Sequence, residues 1–230
     1  MKIFGLQKTT LIDYPGEIAC IVFLFGCNLR CPFCYSKELV IGDESNIETS
    51  EKEFFDFLKK RKGQLDACVI CGGEPTINPE IFDFCRKIKS LGYKVKLDTN
   101  GTSPEAVRKL IKEGLIDYVA MDIKAPFSKY KKATNSKLDV ENIKKSIAII
   151  KKSGIDYEFR TTLVPGIHTL SDIKKMAGQI APAKRYFLQN FRNDKELMDP
   201  KFSNVDPFNE FEVQKIINEI KHNFEICYLR

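Results

Sequence analysis

The chain contains no long apolar run, and it has only two histidines. The first shortage argues against a membrane-spanning protein, and the second limits the side chains that could complete a zinc site. No stretch approaches the roughly 18 apolar residues that a membrane-spanning helix needs. No signal peptide opens the chain, because Asp13, Pro15 and Glu17 interrupt any apolar segment near its start. We therefore expect a cytoplasmic protein that has no membrane partner.

An excess of charge of one sign is also missing. The 37 basic and 31 acidic residues leave a net charge of +6 on 230 residues. The lysines are scattered or end predicted helices, as Lys59, Lys60 and Lys62 do, where cations suit the helix dipole. The sequence has no basic strip interleaved with aromatics, so we expect no nucleic-acid partner. Attraction of an acidic partner stays open as the alternative to solvated helix ends.

Short runs rich in β-branched and aromatic residues alternate with amphipathic segments along the chain. The runs are typical of buried strands, and the segments between them have the apolar spacing of helices. This order predicts an α/β fold with a parallel sheet, either open or closed into a partial barrel, and with functional groups at the carboxyl ends of the strands. The predicted strands cover 18–25, 67–71, 94–97, 118–123, 157–164, 185–189 and a last one near 224–228, and the predicted helices lie near 50–62, 81–91, 104–113, 140–150, 171–181 and 209–221.

Three cysteines follow the first predicted strand on one short loop. Cys27, Cys31 and Cys34 have the spacing Cys-x3-Cys-x2-Cys. Soft sulfur ligands select zinc or an iron–sulfur centre. Structural zinc takes four protein ligands, and neither His168 nor His222 lies nearby in the sequence. A cubane held by three cysteines would instead leave one iron open to a ligand. A zinc loop and three ordinary core cysteines are the alternatives.

The spacing of these cysteines, with Phe33 in the aromatic place, resembles the signature of the radical S-adenosylmethionine (SAM) superfamily. The resemblance implies a 4Fe-4S cluster ligated by Cys27, Cys31 and Cys34, and SAM bound at the open iron. It also implies a full or partial (β/α) barrel with the cysteines on the loop after the first strand. We therefore predict a partial (β/α)6 barrel in one domain over 1–230, with a short N-terminal extension 1–16 and a C-terminal helix and strand 207–230.

Further motifs at later strand ends resemble elements of the same superfamily. Gly72-Gly73-Glu74-Pro75 resembles the Gly-Gly-Glu-Pro element, which implies that Glu74 contacts the amino group of the methionine moiety. Asp98-Thr99-Asn100-Gly101, Asp122-Ile123-Lys124 and Arg160 with Val164-Pro165-Gly166 resemble elements of the glycyl-radical-enzyme activases, a subgroup of the superfamily. The alternatives are an ordinary turn for 98–101, an ion pair at a strand end for Asp122 and Lys124, and a solvated side chain for Arg160. The residues predicted to contact SAM are Phe33, Gly72, Gly73, Glu74, Asp98, Asn100, Asp122, Lys124 and Arg160.

The sequence leaves the role of several residues near these motifs open. Oxygen ligands of Asp98, Thr99 and Asp122 could hold a monovalent cation beside the SAM carboxylate. His168 is better explained as a loop histidine than as an acid or base. Cys68 and Cys71 point to opposite faces of a strand, so we expect Cys68 in the core and Cys71 near the site. The segment 193–206 is either a lid or a docking loop.

The opening segment 5–16 resembles one subgroup of the activases more closely. It is similar to the start of anaerobic ribonucleoside-triphosphate reductase activating proteins, and so is the run 23–27. This resemblance implies that a 5′-deoxyadenosyl radical abstracts hydrogen from a glycine of a partner glycyl radical enzyme. It further implies that ferredoxin or flavodoxin supplies the electron. A radical SAM enzyme acting on a small molecule, such as a 7-carboxy-7-deazaguanine synthase type, is the main alternative; a plain electron-transfer protein and a zinc-stabilised module are two others.

Overall fold

The computed structural model describes residues 1–43 and 49–230, and these residues form one eight-stranded sheet. The strands lie side by side in the order of the chain. Every neighbouring pair from the second to the eighth strand is parallel, and the first strand is antiparallel to the second. The α/β fold with a parallel sheet is therefore confirmed. The strands are β1 Ile3–Thr10, β2 Ala19–Leu24, β3 Ala67–Gly72, β4 Lys94–Thr99, β5 Tyr118–Asp122, β6 Asp156–Leu163, β7 Ala183–Asn190 and β8 Phe224–Leu229.

Helices connect the parallel strands, as the alternating pattern predicted. Short 3-10 turns supplement them at several strand and helix ends. None of the helices within 1–43 and 49–230 has both the length and the apolar character that crossing a membrane requires. The helices are α1 Lys37–Ile41, α2 Glu51–Lys60, α3 Ile81–Ser90, α4 Pro104–Lys112, α5 Tyr130–Thr134, α6 Val140–Lys151, α7 Leu170–Ile180 and α8 Glu210–Ile220.

The two faces of the sheet have different surroundings because side chains alternate along each strand. On β2, Val22 and Leu24 belong to the large core that includes Phe54 of α2 and Phe84 of α3. Ile21 and Phe23, which alternate with them, pack instead in a smaller cluster on the other face. The helices therefore cover one face, and the other face curves around an interior that contains the candidate site.

The predicted N-terminal extension 1–16 contains strand β1, which no apolar pattern had indicated. Only Ile3 and Thr10 of its eight residues are fully buried. An edge strand pairs on one side alone, so its sequence lacks the continuous apolar run of a central strand. The first predicted strand is consequently the second strand of the chain and the first of the parallel series. The short helices α1 and α5 were also missed, because five residues are too few to show a helical period.

Candidate active site

A cavity of about 1220 Å³ opens at the carboxyl edge of the parallel strands. Its lining comes from residues that are far apart in the sequence but follow neighbouring strands, as expected for a parallel α/β fold. Cys27, Cys31 and Cys34 all line it. Of the nine residues predicted to contact SAM, eight line it as well, namely Phe33, Gly72, Gly73, Asp98, Asn100, Asp122, Lys124 and Arg160.

The three cysteines of the loop 27–34, here called the cluster loop, converge on this cavity. Burial raises the pKa of Cys31 to about 12 and also raises the pKa of Cys27. Within the described part of the chain, no three His, Cys, Asp or Glu side chains are grouped closely enough to hold one metal ion. Three cysteines of a cubane each bind a different iron, so their sulfurs lie further apart than the ligands of one zinc ion. Three convergent soft donors therefore fit a cluster better than zinc, and metal binding would deprotonate them.

The Gly-Gly-Glu loop after β3 packs directly against the start of the cluster loop. Gly73 N donates to the Leu24 carbonyl at 3.0 Å, and Glu74 N donates to the Gly26 carbonyl at 2.9 Å. Gly72 has a φ of +121°, and a Cβ at Gly73 would overlap the Gly26 carbonyl. Glycine is required at both positions, because the backbone of this loop supports the base of the cluster loop.

Glu74 does not line the cavity, and its contact with the methionine amino group stays a prediction. Its side chain is completely buried. The two carboxylate oxygens accept from Thr76 N at 3.0 Å, Thr99 Oγ1 at 2.7 Å and Asn100 N at 2.6 Å, and also from the Thr76 hydroxyl. Burial raises the pKa of Glu74, and the hydrogen bonds oppose that change. Glu74 joins the ends of β3 and β4, while Gly72 and Gly73 face the cavity beside it.

Asn100 connects the end of β4 to the cluster loop. Its Nδ2 donates to Asn28 Oδ1 at 3.0 Å and lies 4.0 Å from Cys27 Sγ. Asn28 Nδ2 donates in turn to Thr102 Oγ1 at 2.8 Å. These bonds orient the first cysteine of the motif. Sequence reasoning missed Asn28 and Thr102, because their pairing spans 74 positions of the chain and no local pattern indicates it.

Four charged side chains at the ends of β4, β5 and β6 form a continuous chain of ion pairs. The Arg160 guanidinium donates to Asp98 Oδ2 and to Asp122 Oδ1, each at 2.9 Å, and Lys124 Nζ donates to Asp122 Oδ2 at 2.8 Å. Burial alone would raise the pKa of Asp122, but the charges of Arg160 and Lys124 hold it below its ordinary value. Asp122 therefore stays ionised at neutral pH, and the cavity carries paired charges at this wall. The ion pair expected as the alternative explanation of Asp122 and Lys124 is present, and both residues also line the cavity.

A second buried acid, Glu158, lies deeper in the interior and was missed by sequence reasoning. It is fully buried, accepts from Tyr118 OH at 2.8 Å and from the Arg230 guanidinium at 3.3 Å, and lies 3.7 Å from Lys96 Nζ. Arg160 is 3.9 Å away. Lys96 with Asp98, and Glu158 with Arg160, each stand two apart on a strand and share a face. That spacing of charges on otherwise apolar strands was the available signal.

The segment 193–206, left open as a lid or a docking loop, packs against the cluster loop. Met198 N donates to the Cys34 carbonyl at 2.8 Å, and Asp199 N donates to the Pro32 carbonyl at 2.9 Å. Leu197 is buried in one apolar cluster with Phe33 and Cys31. The segment therefore holds the backbone of the second and third cysteines.

His168 joins two loops through its ring, which agrees with its interpretation as a loop histidine. Nδ1 accepts from Val164 N at 3.0 Å, so Nε2 carries the proton and donates to the Lys124 carbonyl at 2.8 Å. Burial lowers the pKa of His168 below its ordinary value of 6.5. The neutral ring thus fixes the backbone of Lys124 at the cavity wall.

Replacing His168 with Ala is expected to destabilise the protein by about 1–3 kcal/mol, because a buried amide and a buried carbonyl lose their partner. Since the folded pKa is lowered, the contribution of the ring is complete above pH 6.5 and decreases as the pH falls below that value. Urea unfolding of both proteins at several pH values measures the difference. A stability difference that stays constant with pH would contradict the neutral, buried ring.

The remaining cysteines have the predicted placements. Cys68 is fully buried in the core, whereas Cys71 lines the cavity next to Gly72. Burial raises the pKa of Cys71 to about 12, so the side chain is a thiol at neutral pH. Arg192 lines the cavity and pairs with Asp194 at 2.6 Å.

Comparison with known proteins agrees with this geometry. The model of the radical SAM superfamily matches residues 21–180. A Methanocaldococcus jannaschii protein, named provisionally as a glycyl-radical enzyme activating enzyme, is 36% identical over 219 residues, which are 92% of this chain and 88% of that protein. The pyruvate formate-lyase-activating enzyme of Clostridium pasteurianum is 27% identical over 198 residues, covering 84% of this chain and 78% of that enzyme.

The fold also occurs in a solved structure of low sequence identity. SuiB of Streptococcus suis, bound to S-adenosylmethionine, superposes with a TM-score of 0.67 at 15% identity. The match covers 91% of this chain and 51% of SuiB, so the chain spans about half of that protein. The family match covers the cluster loop and the strand ends that form the cavity, and the chain belongs to the radical SAM superfamily.

Proposed function

We propose that this protein cleaves SAM reductively and uses the resulting 5′-deoxyadenosyl radical to abstract hydrogen from a glycine of a partner glycyl radical enzyme. Family membership implies a 4Fe-4S cluster and SAM as cofactors. The observation that carries the proposal is the convergence of the cluster-loop cysteines and the Asp98–Arg160–Asp122–Lys124 chain on one cavity. The relatives named as activating enzymes, matched over most of this chain, support the choice of substrate.

The side chains around the cavity have distinct roles in this proposal. Cys27, Cys31 and Cys34 would hold the cluster, which when bound supplies the electron for cleavage of the sulfonium–carbon bond. Gly72 and Gly73 bring backbone to the cavity wall without a side chain, so the methionine end of SAM can approach it closely. Phe33 offers an apolar ring, and the cavity as a whole limits access of water to the radical.

The charged chain would bind the polar groups of SAM. Lys124 and Arg160 line the cavity while each is paired with an acid, so their cationic charge is retained at neutral pH. They can donate to the carboxylate or ribose oxygens of SAM. Asn100 would contribute indirectly as well, since its side chain positions Cys27.

A monovalent cation beside the SAM carboxylate is also part of the proposal. Asp98 Oδ1 is buried, accepts no hydrogen bond from the residues that the structure describes and has only the Lys96 ammonium nearby, at 3.5 Å, so it retains capacity for a cation or a ligand donor. The Thr99 hydroxyl, however, donates to Glu74 and accepts from Gly101 N, so it is already occupied. A cation would therefore need the Asp98 carboxylate and backbone oxygens.

Anaerobic reconstitution tests the proposed function. The protein, loaded with iron and sulfide and reduced with dithionite, should convert SAM to methionine and 5′-deoxyadenosine. With an anaerobic ribonucleotide reductase added as the partner, electron paramagnetic resonance should detect a glycyl radical. SAM cleavage without a glycyl radical on any candidate partner, but stimulated by a small molecule, would favour the alternative of a small-molecule enzyme.

A further inference from the structure

A group of exposed cations lies beside the cluster loop. It consists of Arg30, Lys131, Lys132 and Lys137, and we call it the basic flank. Within the described residues, none of the four side chains forms an ion pair. The exposed acid that follows them, Asp139, caps helix α6 by accepting from Glu141 N at 3.0 Å. The flank therefore has a surplus of positive charge.

The basic flank is attached directly to the backbone of a predicted cluster ligand. The Arg30 guanidinium donates to the Cys27 carbonyl at 2.6 Å and to the Leu29 carbonyl at 2.8 Å. Arg30 N donates to the carbonyl of Thr134, the last residue of helix α5, at 3.0 Å. Helix α5 carries two of the lysines, so these three cations stand at the outer side of the cluster loop.

The remaining lysine of the flank is held close by the chain that follows α5. Ser136 N donates to the Lys131 carbonyl at 3.2 Å, which turns the backbone after the helix. Leu138, next to Lys137, packs in the apolar cluster that contains Leu29 and Cys31. The positive surface thus lies next to the cluster loop, and none of its four residues lines the cavity.

Two lysines at the border of the flank form ion pairs, in contrast to the four side chains of the flank itself. Lys129 lies 2.6 Å from Asp172, and Lys144 lies 2.7 Å from Glu141. Paired charges cancel at a distance, whereas unpaired charges of one sign produce a local field that attracts an oppositely charged protein. The unpaired charges of the flank lie beside the loop that would hold the cluster.

We propose that the basic flank docks the acidic surface of a one-electron carrier protein that reduces the cluster. This inference depends on the proposed function, because it requires a cluster on Cys27, Cys31 and Cys34. One electron passes from the carrier, which is oxidised by one electron, to the cluster, which is reduced by one. Electron tunnelling weakens steeply with distance. Arg30 contacts the backbone of Cys27 directly, so an electron from a carrier docked on the flank can reach the cluster over the short distance that these two residues span.

Reversal of the three lysine charges, Lys131→Glu/Lys132→Glu/Lys137→Glu, tests the proposal in the reconstituted holoenzyme. The probe is a purified acidic flavodoxin reduced to its hydroquinone. The bimolecular rate of cluster reduction, followed by stopped-flow absorbance, is expected to fall roughly tenfold or more at low ionic strength. Added salt should remove most of this difference, because it screens exposed charges. Calorimetric titration with oxidised flavodoxin should show a matching loss of affinity without any turnover.

The matched control reverses three exposed lysines elsewhere, Lys112→Glu/Lys145→Glu/Lys152→Glu, and makes the same change in net charge. Lys112 and Lys152 lie at the carboxyl ends of α4 and α6, towards the opposite end of the sheet. This variant should be reduced by flavodoxin at close to the unmodified rate. Equal slowing of both variants, or no slowing of the flank variant, would overturn the docking site.

Dithionite separates this inference from the proposed function. Both variants should cleave SAM normally with dithionite, since a small reductant does not need a docking surface. If the unmodified protein fails to cleave SAM with dithionite, the proposed function fails. A different result would overturn the inference alone. In that case dithionite supports cleavage and flavodoxin reduces the flank variant as fast as the control variant, but the flank variant has lost affinity for RNA. The flank would then be a nucleic-acid surface.

Discussion

The Cys31→Ala protein is expected to fold but to bind no 4Fe-4S cluster and to lose SAM cleavage completely. Cys31 is buried, lines the cavity and lies between the other two cysteines in the sequence. Without its sulfur, only two thiolates remain to hold the cluster, and a cubane bound at two corners is easily lost. Iron and sulfide analysis after anaerobic reconstitution measures the loss, together with the yield of 5′-deoxyadenosine.

Cys71 provides the matched control for this prediction. It lines the same cavity but is located at the end of β3. Among the cysteines that the structure describes, it is the one outside the cluster loop that lines the cavity. The Cys71→Ala protein should therefore keep the iron content of the unmodified protein. An iron-loaded Cys31→Ala protein that still cleaves SAM would remove Cys31 from the ligand set, and loss of iron in Cys71→Ala would add Cys71 to it.

Replacing Arg160 with Met should destabilise the protein by about 3–5 kcal/mol, because two partly buried acids lose their shared partner. The side chain of Arg160 is 15% exposed, and those of Asp98 and Asp122 are 11% and 28% exposed. Lys124 alone would then face Asp122, and Asp98 would keep only the more distant Lys96, at 3.5 Å. SAM affinity should also fall, since a cation is removed from the cavity wall. Denaturant unfolding and equilibrium binding of SAM measure the two effects.

Arg192→Met is the control, because Arg192 forms an ion pair with Asp194 in which both side chains are more than half exposed. Its removal should leave the free energy of unfolding nearly unchanged, because water and salt screen an exposed ion pair. The effect of Arg160→Met should also depend on pH. The folded pKa of Asp122 is lowered, so the stabilisation is present above its ordinary pKa and is lost as the pH falls through the folded value. Equal stability losses in the two variants at neutral pH would contradict the ion-pair chain.

The sequence predicted the parallel part of the fold well, because buried parallel strands have continuous apolar runs that a local window detects. All seven parallel strands were located within a few residues. Strand β1 was missed, since it is half exposed at the edge of the sheet. The cysteines were recognised for a different reason. Their ligand chemistry depends on spacing within one loop, which the sequence displays directly.

Glu74 shows what a motif leaves undetermined. The motif predicts that its carboxylate contacts SAM, and in the structure the carboxylate is buried and accepts hydrogen bonds from Thr76, Thr99 and Asn100. Two of these donors are 25 and 26 positions away in the chain. A buried acid that accepts hydrogen bonds from protein donors and an acid that faces a ligand can stand in the same sequence motif. Only the positions of the donors distinguish the two cases.

The sequence by itself predicted which cysteines would serve as ligands, and it determined the edge of the sheet at which the cavity lies. A short loop fixes which cysteines can converge, and parallel strands bring all their carboxyl ends to one edge. Only the tertiary structure decided how the charges pair and what supports the cluster loop. Arg160 meets Asp98 across 62 positions, the 193–206 segment reaches back to Pro32 and Cys34, and Lys131 and Lys132 come to stand beside Arg30. Such contacts depend on the order of strands in the sheet and on the paths of loops, which no local pattern of residues encodes.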